Sequence, residues 1–134
     1  MDKDTRYELP VGYFNFHKKQ IYNFQYNRWH SVGFARYKDL LDISKRINSF
    51  GDWKKVWIEH AEKAEAEGRL KNAAIYYRAA EFYITQDDPD KINFYDKFIE
   101  LFYKVFKEDN LESFKVPYDK SYLHSFKVPV KKKL

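Results

Sequence analysis

The sequence contains no cysteine, only four glycines and four prolines, and no long apolar run. The lack of cysteine excludes disulfides, thiolate metal sites and a cysteine nucleophile, and it favours a cytoplasmic protein. So few glycines and prolines leave little material for sharp turns, which favours helices over a β-sandwich. No segment reaches the length of a membrane span, and residues 1–10 are too charged for a signal peptide. We therefore expect no membrane association.

Aromatic residues are abundant instead: 12 Tyr, 12 Phe and 3 Trp make up 20% of the 134 residues. These side chains bury large areas, so a single domain of this length acquires a thick aromatic core. The formal net charge of +5 is compatible with nucleic-acid binding. However, lysine is interleaved with acidic residues, and the basic run at residues 131–133 is interpreted as a solvated terminus. We therefore predict no nucleic-acid partner.

Two helices are predicted in the first third of the chain. The first spans residues 13–26, where helical spacing is found at Phe14, Ile21, Phe24 and Tyr26. A break is expected over residues 28–33. The second helix is predicted over residues 34–47, with an apolar face at Tyr37, Leu40, Leu41, Ser44 and Ile47.

The clearest pattern predicts an antiparallel pair of helices in the middle of the chain. Ser49 and Asp52 have the spacing of a capping box at the start of the first helix. Its apolar stripe comprises Trp53, Val56, Trp57, His60, Ala61 and Ala64. Gly68 is predicted to end this helix in a left-handed conformation. The next helix begins near Leu70, and its packing face comprises Ala73, Tyr76, Tyr77, Ala80, Tyr83 and Ile84.

A fifth helix is predicted from the Asp88-Pro89 pair, an acidic cap followed by proline at the first helical position. It is expected to end within residues 107–110. Its wide apolar face comprises Ile92, Tyr95, Phe98, Ile99, Phe102, Val105 and Phe106. A second set of apolar residues, on another face of the same helix, comprises Phe94, Phe98 and Leu101. One of the two faces therefore needs a partner outside the helical bundle.

Beyond Leu111 the apolar period changes to two, which predicts a β-hairpin with its turn at residues 117–121. The apolar strand positions are Phe114, Val116, Leu123, Phe126 and Val128, the last two on the face opposite Leu123. The predicted fold is mainly α, with a bundle of four to five helices in residues 1–110 and the hairpin in residues 111–134. Since an isolated hairpin is marginal in water, this one is expected to begin a larger sheet.

Three diffuse motifs lie within residues 47–105: Gly-Asp-x-x-x-x-Trp, Gly-Arg followed by Ala and Tyr-Arg-Ala, and Tyr-Asp-x-Phe. Their positions are Gly51, Asp52, Trp57, Gly68, Arg69, Ala73, Tyr77, Arg78, Ala79, Tyr95, Asp96 and Phe98. This stretch resembles the N-terminal helical domain of α/β-hydrolases of the fermentation-respiration switch protein, dihydroxypseudooxynicotine hydrolase and fungal pigment-pathway type. Residues 116–129 resemble the start of the catalytic domain in that family.

The resemblance implies a helical cap domain that forms part of the roof of the substrate pocket and contributes to dimer contacts. The family's serine nucleophile, acid and histidine belong to the sheet domain that follows the hairpin. None of those positions lies in this sequence, so the chain is expected to be a truncated fragment that is inactive alone. Its expected partner is the missing C-terminal catalytic domain or a second subunit. The complete enzyme would hydrolyse an ester or a carbon–carbon bond in a small carbonyl compound.

A stand-alone helical interaction module is the alternative. The region around Gly68 resembles one tetratricopeptide unit, with Ala64, Ala73 and Ala80 at packing positions and Pro89 beyond. Such solenoids need several repeats, and no second copy occurs at a spacing of roughly 34 residues. The hairpin also has no place in such a repeat.

Candidate catalytic and metal-binding residues each have a simpler structural explanation. Residues 29–33 place Ser31 between Trp29 and Gly33, but Trp replaces the first glycine of a nucleophile elbow, and a loop is expected there. No two of His17, His30, His60 and His124 have helical metal-ligand spacing, and His60 is expected to be a hydrogen-bonded core residue. We therefore predict no catalytic, cofactor-binding or metal-binding residue in this chain.

The carboxylates Asp87, Asp88 and Asp90 are close enough in sequence to suggest acid–base chemistry. Their position at a predicted helix N-terminus explains them without catalysis, because negative charge there complements the helix dipole. We interpret these carboxylates as a helix start.

Overall fold

A computed structural model describes residues 9–129 of the chain. Its five helices are α1 (Gln20–Ser31), α2 (Tyr37–Arg46), α3 (Phe50–Ala66), α4 (Leu70–Phe82) and α5 (Asp90–Val105). A short 3-10 helix (Lys107–Asp109) leads into the antiparallel strands β1 (Glu112–Tyr118) and β2 (Ser121–Lys127). This architecture confirms the predicted helical bundle followed by a hairpin. Across the described residues, every helix is too short or too polar to cross a membrane.

Aromatic side chains of α1 and α3 form the centre of the core. Trp53 and Trp57 of α3 have no exposed surface. Trp53 stacks on Tyr26 of α1 with ring centroids 5.9 Å apart, and Trp57 meets Trp29 edge-on at 5.3 Å. The indole Nε1–H of Trp53 donates to the carbonyl of Ala79 in α4 at 2.7 Å. The large rings therefore join three helices and still satisfy the polar indole edge of Trp53.

α3 and α4 pack closely along a line of alanines. Ala61 and Ala64 of α3 and Ala73 and Ala80 of α4 are all completely buried. Because only residues 67–69 connect the two helices, the chain reverses direction between them. The predicted α3 stripe is buried in full, which confirms the antiparallel pair.

Both predicted ends of α3 are confirmed. Asp52 Oδ2 accepts the backbone N–H of Ser49 at 3.2 Å, and together they form a capping box. At the other end, Gly68 has a φ of 76°, in the left-handed region. The N–H of Arg69 then donates to the carbonyl of Ala64 at 2.8 Å, which satisfies one of the last carbonyls of α3. α4 follows directly from Leu70, as predicted.

The first predicted helix is misplaced. The structure has no helix from residue 9 to residue 19, and α1 continues to Ser31 through the expected break at residues 28–33. Ile21 and Phe24, assigned to the apolar face, are more than half exposed.

Two buried asparagines explain this error. Asn23 Oδ1 accepts the backbone N–H of Phe16 at 2.8 Å, and Asn27 Oδ1 accepts that of Phe14 at 2.7 Å. Both asparagines lie on the buried face of α1, beside Tyr22 and Tyr26. A search for apolar periodicity cannot recognise a helix whose inward face carries amides that bind the preceding segment.

α2 and α5 are present, but some of their apolar residues point outward. Leu40 of α2 and Ile47, which follows its last residue, are buried as predicted, whereas Tyr37 and Leu41 are exposed. Of the two apolar faces predicted for α5, the one that carries Leu101 packs inward, and Leu101 is the buried residue of this helix. Phe94 and Phe98 pack against the core beside it. α5 therefore uses its narrower apolar face against the bundle.

The hairpin has a tighter turn than predicted. Tyr118 pairs with Ser121, so the loop is only Asp119-Lys120, and Asp119 has a φ of 50°. Val116 pairs with Leu123, which places their side chains on one face of the sheet. Phe126 lies on the opposite face, as predicted.

Replacing Gly68 tests the left-handed end of α3. We expect Gly68→Ala to lower the free energy of unfolding by about 1–2 kcal/mol, because a Cβ is disfavoured at positive φ. The added Cβ would meet no atom within 4 Å, so the loss would report backbone conformation alone.

Gly51→Ala is the matched control, since Gly51 is helical and its added Cβ would meet only Ser49 Oγ at 3.5 Å. This variant should be neutral or up to about 1 kcal/mol more stable in urea unfolding. Equal effects at the two glycines would contradict the assignment of Gly68 as the helix cap.

Candidate functional site

Aromatic rings form a continuous ladder along α5 and onto the hairpin. It runs through neighbouring centroids 5.9–6.3 Å apart and comprises Tyr95, Phe98, Phe102, Tyr103 and Phe126. Three of these five side chains are exposed, as is nearby Ile92 on α5. We call this set, together with the exposed apolar residues of the strands, the C-terminal apolar surface. Six exposed aromatic side chains of the described residues lie on α5 and the strands: Tyr95, Tyr103, Phe114, Tyr118, Tyr122 and Phe126.

Both faces of the hairpin contribute to this surface. Phe114, Val116 and Leu123 lie exposed on one face, while Tyr122 and Phe126 lie exposed on the other. Within residues 9–129 the sheet has two strands, so each strand has an outer edge of unpaired backbone groups. A surface hairpin that packs on its own domain normally has one polar face. In this hairpin, both faces carry aromatic residues.

Ser31 is not placed for catalysis. It is the last residue of α1 rather than part of a loop, and its hydroxyl donates to the carbonyl of Arg28 at 3.1 Å. Trp29 of the same motif is buried against Trp57 in the core. The strand-to-helix turn that a nucleophile elbow requires is therefore replaced by a helix end.

The four histidines lie apart, and three of them are buried. His17 Nε2 donates to the carbonyl of Ile47 at 2.7 Å, while its Nδ1 accepts a backbone N–H. His30 Nδ1 donates to a backbone carbonyl at 2.9 Å. His60 is a hydrogen-bonded core residue, as predicted, with Nε2 2.7 Å from Asp42 Oδ2. The described residues contain no group of three potential ligands placed for a metal ion.

A Ser–His pair on the hairpin was not anticipated from the sequence. Ser113 Oγ lies 2.5 Å from His124 Nε2, across the two strands. Both residues are exposed, and among residues 9–129 His124 has no carboxylate partner. A nucleophile needs a base that a third group orients, so this pair alone is not an active site.

Asp88 and Asp90 start α5, as expected. Asp88 Oδ1 accepts the backbone N–H of Asp90 at 2.9 Å, although Pro89 precedes the first helical residue rather than occupying it. Lys54 of α3 binds both carboxylates, at 2.9 Å and 2.6 Å. The hydrogen bond from Lys54 holds the pKa of Asp88 below its usual value. These contacts give the cluster a structural role.

Asp39 is the centre of a buried polar cluster that the sequence did not reveal. Its side chain is 5% exposed and accepts two hydrogen bonds from Arg36, at 2.9 Å and 3.2 Å. Arg69, which precedes the first residue of α4, lies with its Nη1 3.1 Å from Asp39 Oδ2. Tyr76 of α4 donates its hydroxyl to the same oxygen at 2.6 Å. His60 Nδ1 lies 3.9 Å from the same carboxylate. One carboxylate therefore connects α2 with the start of α4 and with Tyr76 within α4.

The ionisation of Asp39 is decided by these partners. Burial opposes the charged form, but hydrogen bonds from Arg36 and Tyr76 and the charges of Arg36 and Arg69 outweigh it. The pKa of Asp39 is consequently held below its usual value. Burial, followed by the bond to Asp39, raises the pKa of Tyr76, so its hydroxyl remains a donor.

No protein-family model and no curated protein matches this chain. Its functional interpretation therefore depends on its own residues and geometry.

Replacing Asp39 tests the polar cluster. We expect Asp39→Asn to lower the free energy of unfolding by about 2–3 kcal/mol at pH 7, because Arg36 and Arg69 lose their shared carboxylate. The pKa of Asp39 is lower in the folded state, so its stabilisation is complete above about pH 4–5 and is lost as the pH falls further. The difference between wild type and variant should therefore shrink between pH 5 and about pH 3 in urea titrations.

Asp96→Asn, an exposed position on α5, is the control and should change stability little at either pH. A loss in Asp39→Asn that stays constant with pH would show that the carboxylate acts through shape rather than charge.

Proposed function

We propose that this chain is the helical cap domain and first hairpin of an α/β-hydrolase, and that the catalytic domain packs on the C-terminal apolar surface. The observation that carries the proposal is the hairpin, which follows a helical bundle and exposes apolar residues on both faces. In an α/β fold the sheet is covered by helices on both sides, so its strands are apolar on both faces. Both faces of the hairpin carry exposed apolar residues, although polar residues alternate with them along each strand.

The free edges support the same interpretation. A two-stranded hairpin is marginally stable in water, and three or more strands with a packed face are needed for independent stability. β1 and β2 each leave one edge unpaired within the described chain. Further strands of a catalytic sheet would pair with an edge, and the helices that cover that sheet would bury Phe114, Val116 and Leu123.

The residues that carry the family resemblance have structural roles. Gly68 ends α3, Arg69 binds Asp39, and Trp57 lies fully buried in the core. Tyr77 donates its hydroxyl to Glu65 across the α3–α4 pair at 3.0 Å. A cap domain needs these roles, because it contributes the shape of the pocket rather than the reacting groups.

The chemistry would belong to the complete enzyme. In this proposal the sheet domain supplies the serine, the acid and the histidine, and the reaction is hydrolysis of an ester or a carbon–carbon bond in a small carbonyl compound. The cap would also contribute to dimer contacts. A cytoplasmic location accords with the absence of cysteine from the sequence.

The DNA immediately downstream of the Leu134 codon tests this proposal first. We expect one of its three frames to encode a β-rich segment with a Gly-Gly loop, Gly-x-Ser-x-Gly and a later histidine. The chain alone should not hydrolyse a nitrophenyl ester, and co-expression with the encoded segment should yield an active complex. Unrelated sequence after a stop codon would count against a catalytic partner encoded there.

Charge placed on the hairpin then tests the docking surface. Phe114→Lys combined with Leu123→Lys should abolish assembly with the catalytic segment, because two charges would be buried in the sheet interface. Lys120→Ser, in the exposed turn, is the control and should leave assembly unchanged. Equal assembly by both variants would show that the hairpin does not join the sheet.

A helical interaction module is the second candidate, favoured by the close α3–α4 pair with its buried alanines. This candidate requires neither a downstream hydrolase nor the hairpin. It predicts that the chain binds a protein partner equally well with or without the two lysine substitutions at Phe114 and Leu123.

A further inference from the structure

The two outer edges of the hairpin differ in what they offer to a further strand. In an antiparallel pair, residues whose N–H and C=O groups bond across the pair alternate with residues whose groups point outward. The closing pair, Tyr118 and Ser121, flanks a two-residue turn and therefore bonds inward. Counting from that pair, the outward-pointing residues are Ser113, Lys115 and Pro117 of β1 and Tyr122, His124 and Phe126 of β2.

The edge of β1 is protected against pairing. Pro117 has no N–H, so one of the outward positions cannot donate to a neighbouring strand. Glu112 and Lys115 add charge to the same strand. Proline and charged residues are the usual means by which proteins keep an edge strand from pairing with another chain. β1 is therefore a poor partner for a further strand.

The edge of β2 has no such protection. The residues from Ser121 to Phe126 include no proline, lysine, arginine, aspartate or glutamate. The register with β1 is unbroken along the strand, so no bulge turns this edge away. Among residues 9–129, no third strand pairs with β2, and all but one of its side chains are exposed. Within the described chain, the outward N–H and C=O groups of β2 are therefore available to another strand.

A second copy of β2 fits this edge when the two strands run antiparallel about His124. A two-fold axis at this residue sets Tyr122 of each copy opposite Phe126 of the other, on the same face of the joint sheet. Aromatic residues directly opposite each other stabilise antiparallel strands. The order of residues in β2 is therefore complementary to itself.

Axes at the neighbouring residues give poorer pairs. An axis at Leu123 would set Phe126 opposite a lysine of the turn. An axis at Ser125 would set Tyr122 opposite a residue beyond the end of β2. Of these three positions, His124 alone pairs the aromatic residues of the two strands with each other.

The positions of the bundles and of the terminal charges favour the same arrangement. Each hairpin leaves its bundle at its open end, next to the 3-10 helix (Lys107–Asp109). In an antiparallel arrangement the two bundles lie at opposite ends of the joint sheet, and the two copies of Lys127 are separated by roughly 20 Å. A parallel arrangement would place the bundles side by side and oppose these like charges.

Pairing through β2 would also supply the strands that the hairpin lacks. Two copies of a two-stranded sheet make a sheet of four strands. Three or more strands with an apolar face are what an independently stable sheet requires. Phe114, Val116 and Leu123 of both copies would lie on one face of that sheet.

We propose that this chain forms a two-fold symmetric dimer through β2, with His124 of each copy at the axis. Three residue pairs would each exchange two backbone bonds, which gives about six hydrogen bonds across the axis. This pairing needs no catalytic domain, so it goes beyond the hydrolase proposal and does not depend on it. A catalytic sheet that used the same edge would compete with the second copy.

A single cysteine at the axis tests this dimer directly, because the chain has no cysteine of its own. We expect His124→Cys to form a disulfide-linked dimer on mild oxidation. Bonded residues opposite each other have Cα atoms about 5.5 Å apart, within the range of a disulfide. Lys115→Cys is the matched control, since it lies opposite His124 on the other edge of the hairpin. Its two copies would be three strand spacings apart, roughly 14 Å, which is too far for a disulfide.

Proline substitutions test the same edge without a cross-link. In sedimentation velocity we expect a concentration-dependent dimer, with a dissociation constant on the order of 100 µM for so small an interface. His124→Pro should raise this constant by at least about tenfold, because it removes an outward N–H from each copy. Lys115→Pro removes an outward N–H from β1 and should change the constant by less than about twofold. Each substitution also loses one side-chain contact within the hairpin, so the two perturb it alike.

Three results would overturn the proposal. The first is a chain that stays monomeric at concentrations up to about 1 mM. The second is disulfide formation by Lys115→Cys that equals or exceeds that of His124→Cys. The third is equal weakening by the two proline substitutions in variants that keep their helical content, since the dimer would then not form through β2.

Discussion

A buried carboxylate holds together elements that are far apart in the sequence. Asp39 binds Arg36 within its own helix and also reaches Arg69 and Tyr76, respectively 30 and 37 residues further along the chain. An isolated charge in the interior would be very costly, so the arrangement is stable only when α2 and α4 are both in position. Buried aromatic and alanine side chains form the core beside this cluster. The shared carboxylate fixes the start of α2 against the start of α4.

Local signals made the α3–α4 pair predictable. A capping box, a left-handed glycine at Gly68 and an alanine-aromatic stripe all act within one or two helical turns, so their meaning does not depend on distant residues. The hairpin was predictable for the same reason, because the change to a period of two is visible within a dozen residues.

The errors come from interactions between distant or ambiguous positions. Asn23 and Asn27 are polar residues on an inward face, and only the path of residues 14–17 explains them. The sequence does not distinguish Asp39 from the other charged residues, because its partners come close to it only in the folded chain. α5 has two apolar faces of similar strength, and nothing local decides which one packs inward.

The hairpin also differs from the helices because few of its contacts are with other elements of the fold. All its strand pairs are local, closed by a two-residue turn, and its contacts with the helices are sparse apart from rings such as Tyr103 and Phe126. Hairpins of this kind form in about 1–10 µs, whereas the helical core requires pairing across longer stretches of chain. Because few contacts join the hairpin to the helices, we expect it to open locally without unfolding the bundle. Its amide hydrogens would then exchange faster than those of the helical core.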